Sequence, residues 1–234
     1  MSGVGVLILL LLISSIPAIA VFLWLRLARY PFSPARFSAS LLAGAASFFP
    51  ALFFQRILTA TDGIFLFAGK WDIVAKIFIR IAFTEELSRF LVLSILFVIL
   101  HRFGHANTES PGSENVSPFT MACTAGLAAG LGFAILESAV YGAANPSNAL
   151  LRAFTAAPLH GACGFRVGAS VAMFRESPVQ AIFRFFSAVV IHGIYDFLLL
   201  IPGILPLIAA TLIALFTLAS SIVTIRSGLG NKDA

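Results

Sequence analysis

Five ionisable side chains lie within or beside apolar runs of the sequence, where charged groups are rare. Three are glutamates and two are histidines: Glu85, Glu86, Glu137, His160 and His192. Even on lenient insertion scales, a charged side chain at the centre of a bilayer costs about 2.5–3.5 kcal/mol. Such residues are expected to face the interior of a helical bundle, where they compensate one another and carry out chemistry.

The first pair occurs in IAFTEELSRF at 81–90, just before the uncharged run LVLSILFVIL. On a helix Arg89 is four residues after Glu85 and three after Glu86, so its guanidinium can pair with either carboxylate. One arginine for two carboxylates leaves one of them less compensated. That carboxylate is suited to act as a general base.

Glu137 lies in GLAAGLGFAILESAVYG at 126–142. Gly126, Gly130 and Glu137 share one face of a helix, and two small residues four apart let another helix approach closely. Glu137 is therefore predicted to face a neighbouring helix and not lipid. Tyr141, one turn further along, is a supporting residue of the same region.

The histidines have distinct surroundings. His160 lies in APLHGACGFRVG, where glycines follow it and Pro158 is expected to loosen the turn before it. His192 lies in IHGIYDF, with Asp196 four residues later. Asp196 is placed to hold the His192 imidazole in one tautomer, or to be a ligand itself.

Carboxylates and imidazoles together favour hydrolysis. In one version a glutamate deprotonates water while the histidines orient it or stabilise the oxyanion. In the other a metal ion, with Zn²⁺ as the candidate, is held by Glu137, His160 and His192 with one position open for water. The sequence contains no HExxH motif, so the common arrangement of zinc proteases is absent.

The composition indicates the class of protein in which these residues occur. Of 234 residues, 59% are hydrophobic and 11% are charged, whereas about 25% are charged in a soluble domain. An all-α, polytopic membrane helical bundle in a single domain is predicted, since a β-barrel would show short alternating segments. The net charge of +5 indicates orientation signals in the bilayer, and no nucleic-acid partner is expected. About seven transmembrane helices are predicted, at 3–25, 38–59, 80–101, 119–142, 149–174, 179–201 and 204–226.

Basic residues predict the orientation. Most arginines fall on one side of a seven-span chain, which favours an N-terminus outside and a cytoplasmic C-terminus. The site would then open toward the outer leaflet. The segment 64–79 is predicted as an interfacial amphipathic helix that leads into the third span.

Four motifs in order resemble the PrsW family of intramembrane proteases, over roughly residues 75–200. They are EELSR at 85–89, GFAILESAVYG at 132–142, RAFTAAPLH at 152–160 and HGIYDF at 192–197. The resemblance implies a membrane peptidase of a bacterial or archaeal cell membrane that cuts single-span membrane proteins. An anti-sigma factor, cut first on its extracytoplasmic side, is the model substrate. It also implies that Glu85 and Glu86 are the family's paired glutamates, Glu137 its third, and His160 and His192 its histidines.

Three other functions stay open at this point. One is a non-catalytic scaffold that binds membrane partners through its glycine faces, whose function Glu86→Ala would leave unchanged. Histidines on neighbouring spans can ligate a b-type haem, which a Soret band would reveal. Glutamates and histidines within spans also form the relays of ion- or proton-coupled transporters, whose activity would need a gradient and cut no peptide.

Overall fold

The computed structural model describes residues 3–60, 70–104 and 117–230 of the chain. No strand occurs within these ranges, which confirms the all-α prediction. A π-helical segment covers Lys76–Phe83. The α-helices in chain order are α1 (Gly3–Leu27), α2 (Pro34–Ala60), α3 (Lys70–Ala75), α4 (Thr84–Gly104), α5 (Pro118–Ala144), α6 (Pro146–Phe154), α7 (Ala156–Met173), α8 (Pro178–Leu200) and α9 (Ile204–Gly230).

Proline begins several of these helices. Pro118, Pro146 and Pro178 are the first residues of α5, α6 and α8, where the missing N–H would have no partner in the helix and the fixed φ suits the first turn. Two caps support these starts. Ser117 Oγ accepts from the Thr120 N–H at 3.1 Å, and the Asn145 side chain accepts from the Ser147 N–H at 3.1 Å.

Among the described residues, five helices are long and apolar enough to cross a membrane: α1, α2, α5, α8 and the Ile204–Ser227 part of α9. The outer faces of α1, α2, α8 and α9 carry many exposed leucine, isoleucine and phenylalanine side chains, as lipid contact requires. The chain is therefore an integral membrane helical bundle. The predicted number of about seven spans is not confirmed by this criterion.

The fifth predicted span, 149–174, is interrupted at Thr155. The chain forms α6 up to Phe154 and starts α7 at Ala156. Pro158 explains the position of the break, because a proline is tolerated in the first turn of a helix but not in its interior. The sequence expectation that Pro158 loosens the preceding turn is confirmed.

Helix α5 forms the centre of the bundle. In its most apolar stretch 78% of the residues are buried, against 22–33% in the other four spans. The glycine face predicted from the sequence packs against α7: a Cβ added at Gly126 would overlap the backbone of Gly164, and one at Gly130 would overlap the backbone of His160. The close approach predicted for this face is therefore confirmed, and α7 is the helix that makes it.

The π-helical segment directly precedes the two glutamates of α4. Residues 64–69 of the predicted interfacial helix lie outside the described residues, and from Lys70 onward the chain is helical into α4. The Phe78 ring of this segment packs on Gly193 of α8, next to His192, where a Cβ would overlap it. π-Helical turns are rare and concentrate at functional sites, and this one brings α4 and α8 together.

Candidate active site

The first turns of α4 supply a buried ion pair. Glu86 and Arg89 are both fully buried and bonded to each other through Oε2 and Nη1. Arg89 Nη2 also lies 3.3 Å from His160 Nδ1, and the guanidinium lies over the Phe133 ring at 4.7 Å. Of the two carboxylates that Arg89 could reach from its helical spacing, it pairs with Glu86.

Helix α8 places His192 against both glutamates of α4. His192 Nδ1 lies 2.8 Å from Glu86 Oε1, so the ring donates this proton to the carboxylate. Its other nitrogen, Nε2, lies 3.7 Å from Glu85 Oε2 and 3.4 Å from Asp196 Oδ2. A histidine held through Nδ1 by a carboxylate presents Nε2 to a ligand, as metal-binding histidines do.

Helices α5, α6 and α7 supply a second carboxylate–imidazole pair. Glu137 Oε2 lies 2.7 Å from His160 Nε2 and 2.5 Å from an Nη atom of Arg152. The Arg152 guanidinium also stacks over the Tyr141 ring at 4.3 Å. Tyr141 itself is 53% exposed, so it touches the site through Arg152 and lies at its rim.

The two pairs meet in the interior of the bundle. The His160 and His192 rings are nearly perpendicular, with centroids 4.9 Å apart. Ligand atoms of Glu85, His160 and His192 lie within 4.8 Å of one another. The structure thus brings both predicted histidines together with all three predicted glutamates and Asp196, and the tightest group contains Glu85 where the sequence analysis placed Glu137.

Within the described ranges, the Glu85 carboxylate has an unusual environment. Its Oε2 atom is buried and has no hydrogen-bond partner. A buried carboxylate oxygen without a partner is costly, and an oxygen left free beside two imidazoles is suited to a cation. Two histidines and a carboxylate are the donor set of many catalytic zinc sites. The residues present therefore fit a Zn²⁺ ion.

Two residues of the site were missed as site residues by the sequence analysis. Arg152 stands in one of the four motifs, but its pairing with Glu137 depends on how α6 is placed. Gln55 of α2 donates from Nε2 to Glu85 Oε1 at 3.1 Å. Its signal in the sequence is a lone amide within FFPALFFQRIL, which is easily mistaken for the end of a span.

A bundle of apolar helices that gathers carboxylates and imidazoles in its interior has the composition of a hydrolase working inside the membrane. The family model for PrsW family intramembrane metalloproteases matches residues 34–223, and the chain belongs to this family. It is thus a membrane peptidase, as its motifs indicate. Comparison with curated proteins and with solved structures finds no match.

Proposed function

We propose that the chain is a zinc-dependent protease that cuts single-span membrane proteins, with Glu85, His160 and His192 as the metal-binding residues. The observation that carries this proposal is the convergence of their ligand atoms within 4.8 Å in the bundle interior. This set differs from the sequence expectation in one residue, since Glu137 is already engaged by Arg152 at 2.5 Å. When bound, Zn²⁺ supplies Lewis-acid chemistry that polarises a carbonyl and activates water.

Glu137 is the proposed general base. It is the most exposed of the three glutamates, at 9% against 4% for Glu85 and 0% for Glu86. Its contacts with Arg152 and His160 both use Oε2, so Oε1 is the atom that takes a proton from water as the water oxygen adds to the peptide carbonyl carbon. The same proton then passes to the amide nitrogen as the C–N bond breaks, so that Glu137 ends as it began.

The other residues of the site orient these groups. Glu86 holds His192 through Nδ1 and is itself neutralised by Arg89. Arg89 also donates to His160 Nδ1, so Nε2 of that ring carries the proton that faces Glu137. Nε2 is the nitrogen that would bind a metal ion, after losing this proton. Asp196 lies beside His192 Nε2 at 3.4 Å and limits the rotation of the ring. Buried charges in such networks fix geometry because each has a partner.

The position of the site supports the proposed substrate class. The carboxylates and imidazoles are buried inside an apolar bundle, which favours a substrate that enters from the membrane or its surface. A single membrane-spanning segment fits this requirement, and it must unwind locally because a helix hides its peptide carbonyls in hydrogen bonds. A single-span anti-sigma factor of a bacterial or archaeal cell membrane, cut on its extracytoplasmic side, is the proposed example.

The haem and transporter alternatives are not favoured. A haem between His160 and His192 would need both rings as axial ligands, but the ring centroids are only 4.9 Å apart, which is too close for an iron to lie between them. A transporter relay accounts for carboxylates in spans, but membership in a protease family does not support it.

The proposal is tested by profiling protein N-termini in membranes of cells that express the wild-type chain or Glu85→Gln. Glutamine keeps the shape of the side chain and removes its charge. Glu176→Gln, at the exposed turn between α7 and α8, is the matched control. New N-termini in single-span proteins should occur with wild type and Glu176→Gln and be absent with Glu85→Gln. Identical profiles for wild type and Glu85→Gln, at equal protein levels, would contradict the proposal.

A further inference from the structure

Glu85 differs from the other two glutamates in the type of side chain that binds its carboxylate. Glu86 is paired with Arg89, and Glu137 is paired with Arg152. In the part of the chain that the structure describes, no arginine or lysine forms an ion pair with Glu85. Its carboxylate instead accepts a hydrogen bond from the side-chain amide of Gln55, with 3.1 Å between Nε2 and Oε1.

This hydrogen bond selects which carboxylate oxygen faces the histidines. Gln55 occupies Oε1, while Oε2 lies 3.7 Å from His192 Nε2 and has no hydrogen-bond partner among the described residues. With one oxygen held from the α2 side, the carboxylate cannot rotate without losing its donor. The free oxygen is therefore kept on the side of His160 and His192.

The position of Gln55 is fixed by the packing of α2. Ser47, Ala51 and Gln55 follow one another at four-residue spacing, which places them on one face of the helix. Ser47 and Ala51 are buried, at 0% and 1% exposure. One turn earlier, the backbone of Gly44 lies so close to that of Ala129 on α5 that no Cβ would fit. Helix α2 is thus held tightly against the central helix, and Gln55 extends from a rigid support.

An amide suits this role better than a cation. A lysine or arginine beside Glu85 would compete with a metal ion for the carboxylate, since each carries the opposite charge. A neutral amide donates one directed hydrogen bond and leaves the carboxylate charge available. Residues that orient metal ligands in this way are as important to a metal site as many of the ligands themselves.

We propose that Gln55 is a positioning residue that orients the Glu85 carboxylate toward the two histidines and makes no contact with the peptide substrate. The inference rests on the proposed function, because it assigns Gln55 to the metal-binding group of that same site. It adds α2 to the four elements α4, α5, α7 and α8 that carry the site's glutamates and histidines.

The test compares the purified full-length chain in lipid nanodiscs with Gln55→Leu and with the shorter amide Gln55→Asn. Arg56→Gln, which alters the adjacent exposed side chain, is the matched control. Zn²⁺ affinity is measured by competition with a chromophoric chelator, and kcat and KM are measured on a single-span substrate. We expect Gln55→Leu to weaken Zn²⁺ binding and to lower kcat, each about 10–100-fold. KM should be unchanged, Gln55→Asn should fall between wild type and Gln55→Leu, and Arg56→Gln should match wild type.

A second set of variants separates positioning from general damage to the fold. If Gln55 acts through Glu85, then adding Gln55→Leu to Glu85→Ala should cause no further loss of Zn²⁺ affinity. An additive further loss would overturn the inference, and so would a rise in KM with unchanged Zn²⁺ affinity, which would indicate a substrate contact. An active wild-type chain that binds no Zn²⁺ would overturn the metal assignment of the proposed function, and the division between kcat and KM would still decide the role of Gln55.

Discussion

Glu85 and Glu86 are neighbours in the sequence, but their charges are compensated in different ways. Glu86 is bonded to the buried Arg89 and to His192, whereas Glu85 is held by the amide of Gln55. Glu86 is therefore part of a closed network that supports the site. Glu85, in contrast, has one buried carboxylate oxygen, Oε2, without a hydrogen-bond partner. We therefore propose different roles for two identical side chains, structural support for Glu86 and metal binding for Glu85, because their partners differ.

This difference predicts unequal effects on stability. Glu86→Ala leaves the buried Arg89 without a carboxylate, and breaking one side of a buried pair typically costs about 3–5 kcal/mol. Glu85→Ala removes the acceptor of a half-buried amide and should cost much less. Both variants should lose proteolysis. Denaturant-induced unfolding of each variant in detergent micelles measures the free energy of unfolding, and equal losses for the two would contradict this account.

At the scale of elements, the close contact between α5 and α7 places Glu137 beside His160. Gly126 and Gly130 let the two backbones touch, so the carboxylate on α5 reaches the imidazole on α7 at 2.7 Å. The break at Thr155 then turns α6 so that Arg152 meets Glu137 from the other side. Tyr195 of α8 donates to Thr155 Oγ1 at 3.0 Å and secures this break. Helix packing, more than any single side chain, sets these distances.

Two glycine substitutions test the role of this contact. A methyl group at Gly130 would overlap the carbonyl oxygen of His160, so Gly130→Ala must push α7 away. Such overpacking typically costs about 1–3 kcal/mol, and the shift of His160 should lower kcat. At Gly161 a Cβ would meet nothing nearer than Leu131 Cδ2 at 3.4 Å, so Gly161→Ala should keep near-wild-type stability and kcat. Thermal unfolding measures the stability of both variants, and cleavage assays measure their kcat. Equal kcat values would contradict the proposed role of the contact between α5 and α7.

At the scale of the whole molecule, an apolar exterior surrounds an interior that contains ionisable side chains. Exposed apolar side chains cover α1, α2, α8 and α9, while the carboxylates and imidazoles lie inside. This arrangement is the reverse of a soluble enzyme and is stable only where lipid replaces water. The side of the membrane on which the site opens is then set by the direction in which the chain was inserted.

Cysteine labelling tests the predicted orientation. Cys123 and Cys163 are buried, so they should give little background. With seven spans and an outside N-terminus, Ser147→Cys at the start of α6 should react with an impermeant maleimide in intact cells. Ser33→Cys, before α2, and Glu176→Cys, after α7, should react only after permeabilisation. All three native side chains are exposed. Labelling of Ser33→Cys in intact cells would show that the orientation is reversed or that the number of spans differs.

The sequence by itself determined the all-α membrane class and the set of polar residues that must face inward. Apolar composition requires helices in lipid, and the cost of a lipid-facing charge turns the glutamates and histidines toward each other. The glycine face of α5 was also predictable from the sequence, because helical periodicity depends only on residues that are close together in the chain. The predicted count of about seven spans is not confirmed, because the 149–174 stretch breaks at Thr155 and α4 is not among the described helices that are long and apolar enough to span a membrane.

Only the tertiary structure decided which of the polar and charged side chains pair with each other. From its spacing along α4, Arg89 could pair with either glutamate. In the fold it pairs with Glu86, which also bonds to His192, 106 residues later in the chain. Gln55 contacts Glu85 across 30 residues of chain, and Arg89 meets His160 across 71. Such contacts depend on the register and angle at which helices pack, and a local sequence pattern holds no information on distances between helices. For that reason the inward-facing residues were predictable, whereas the grouping of Glu85 with the two histidines was not.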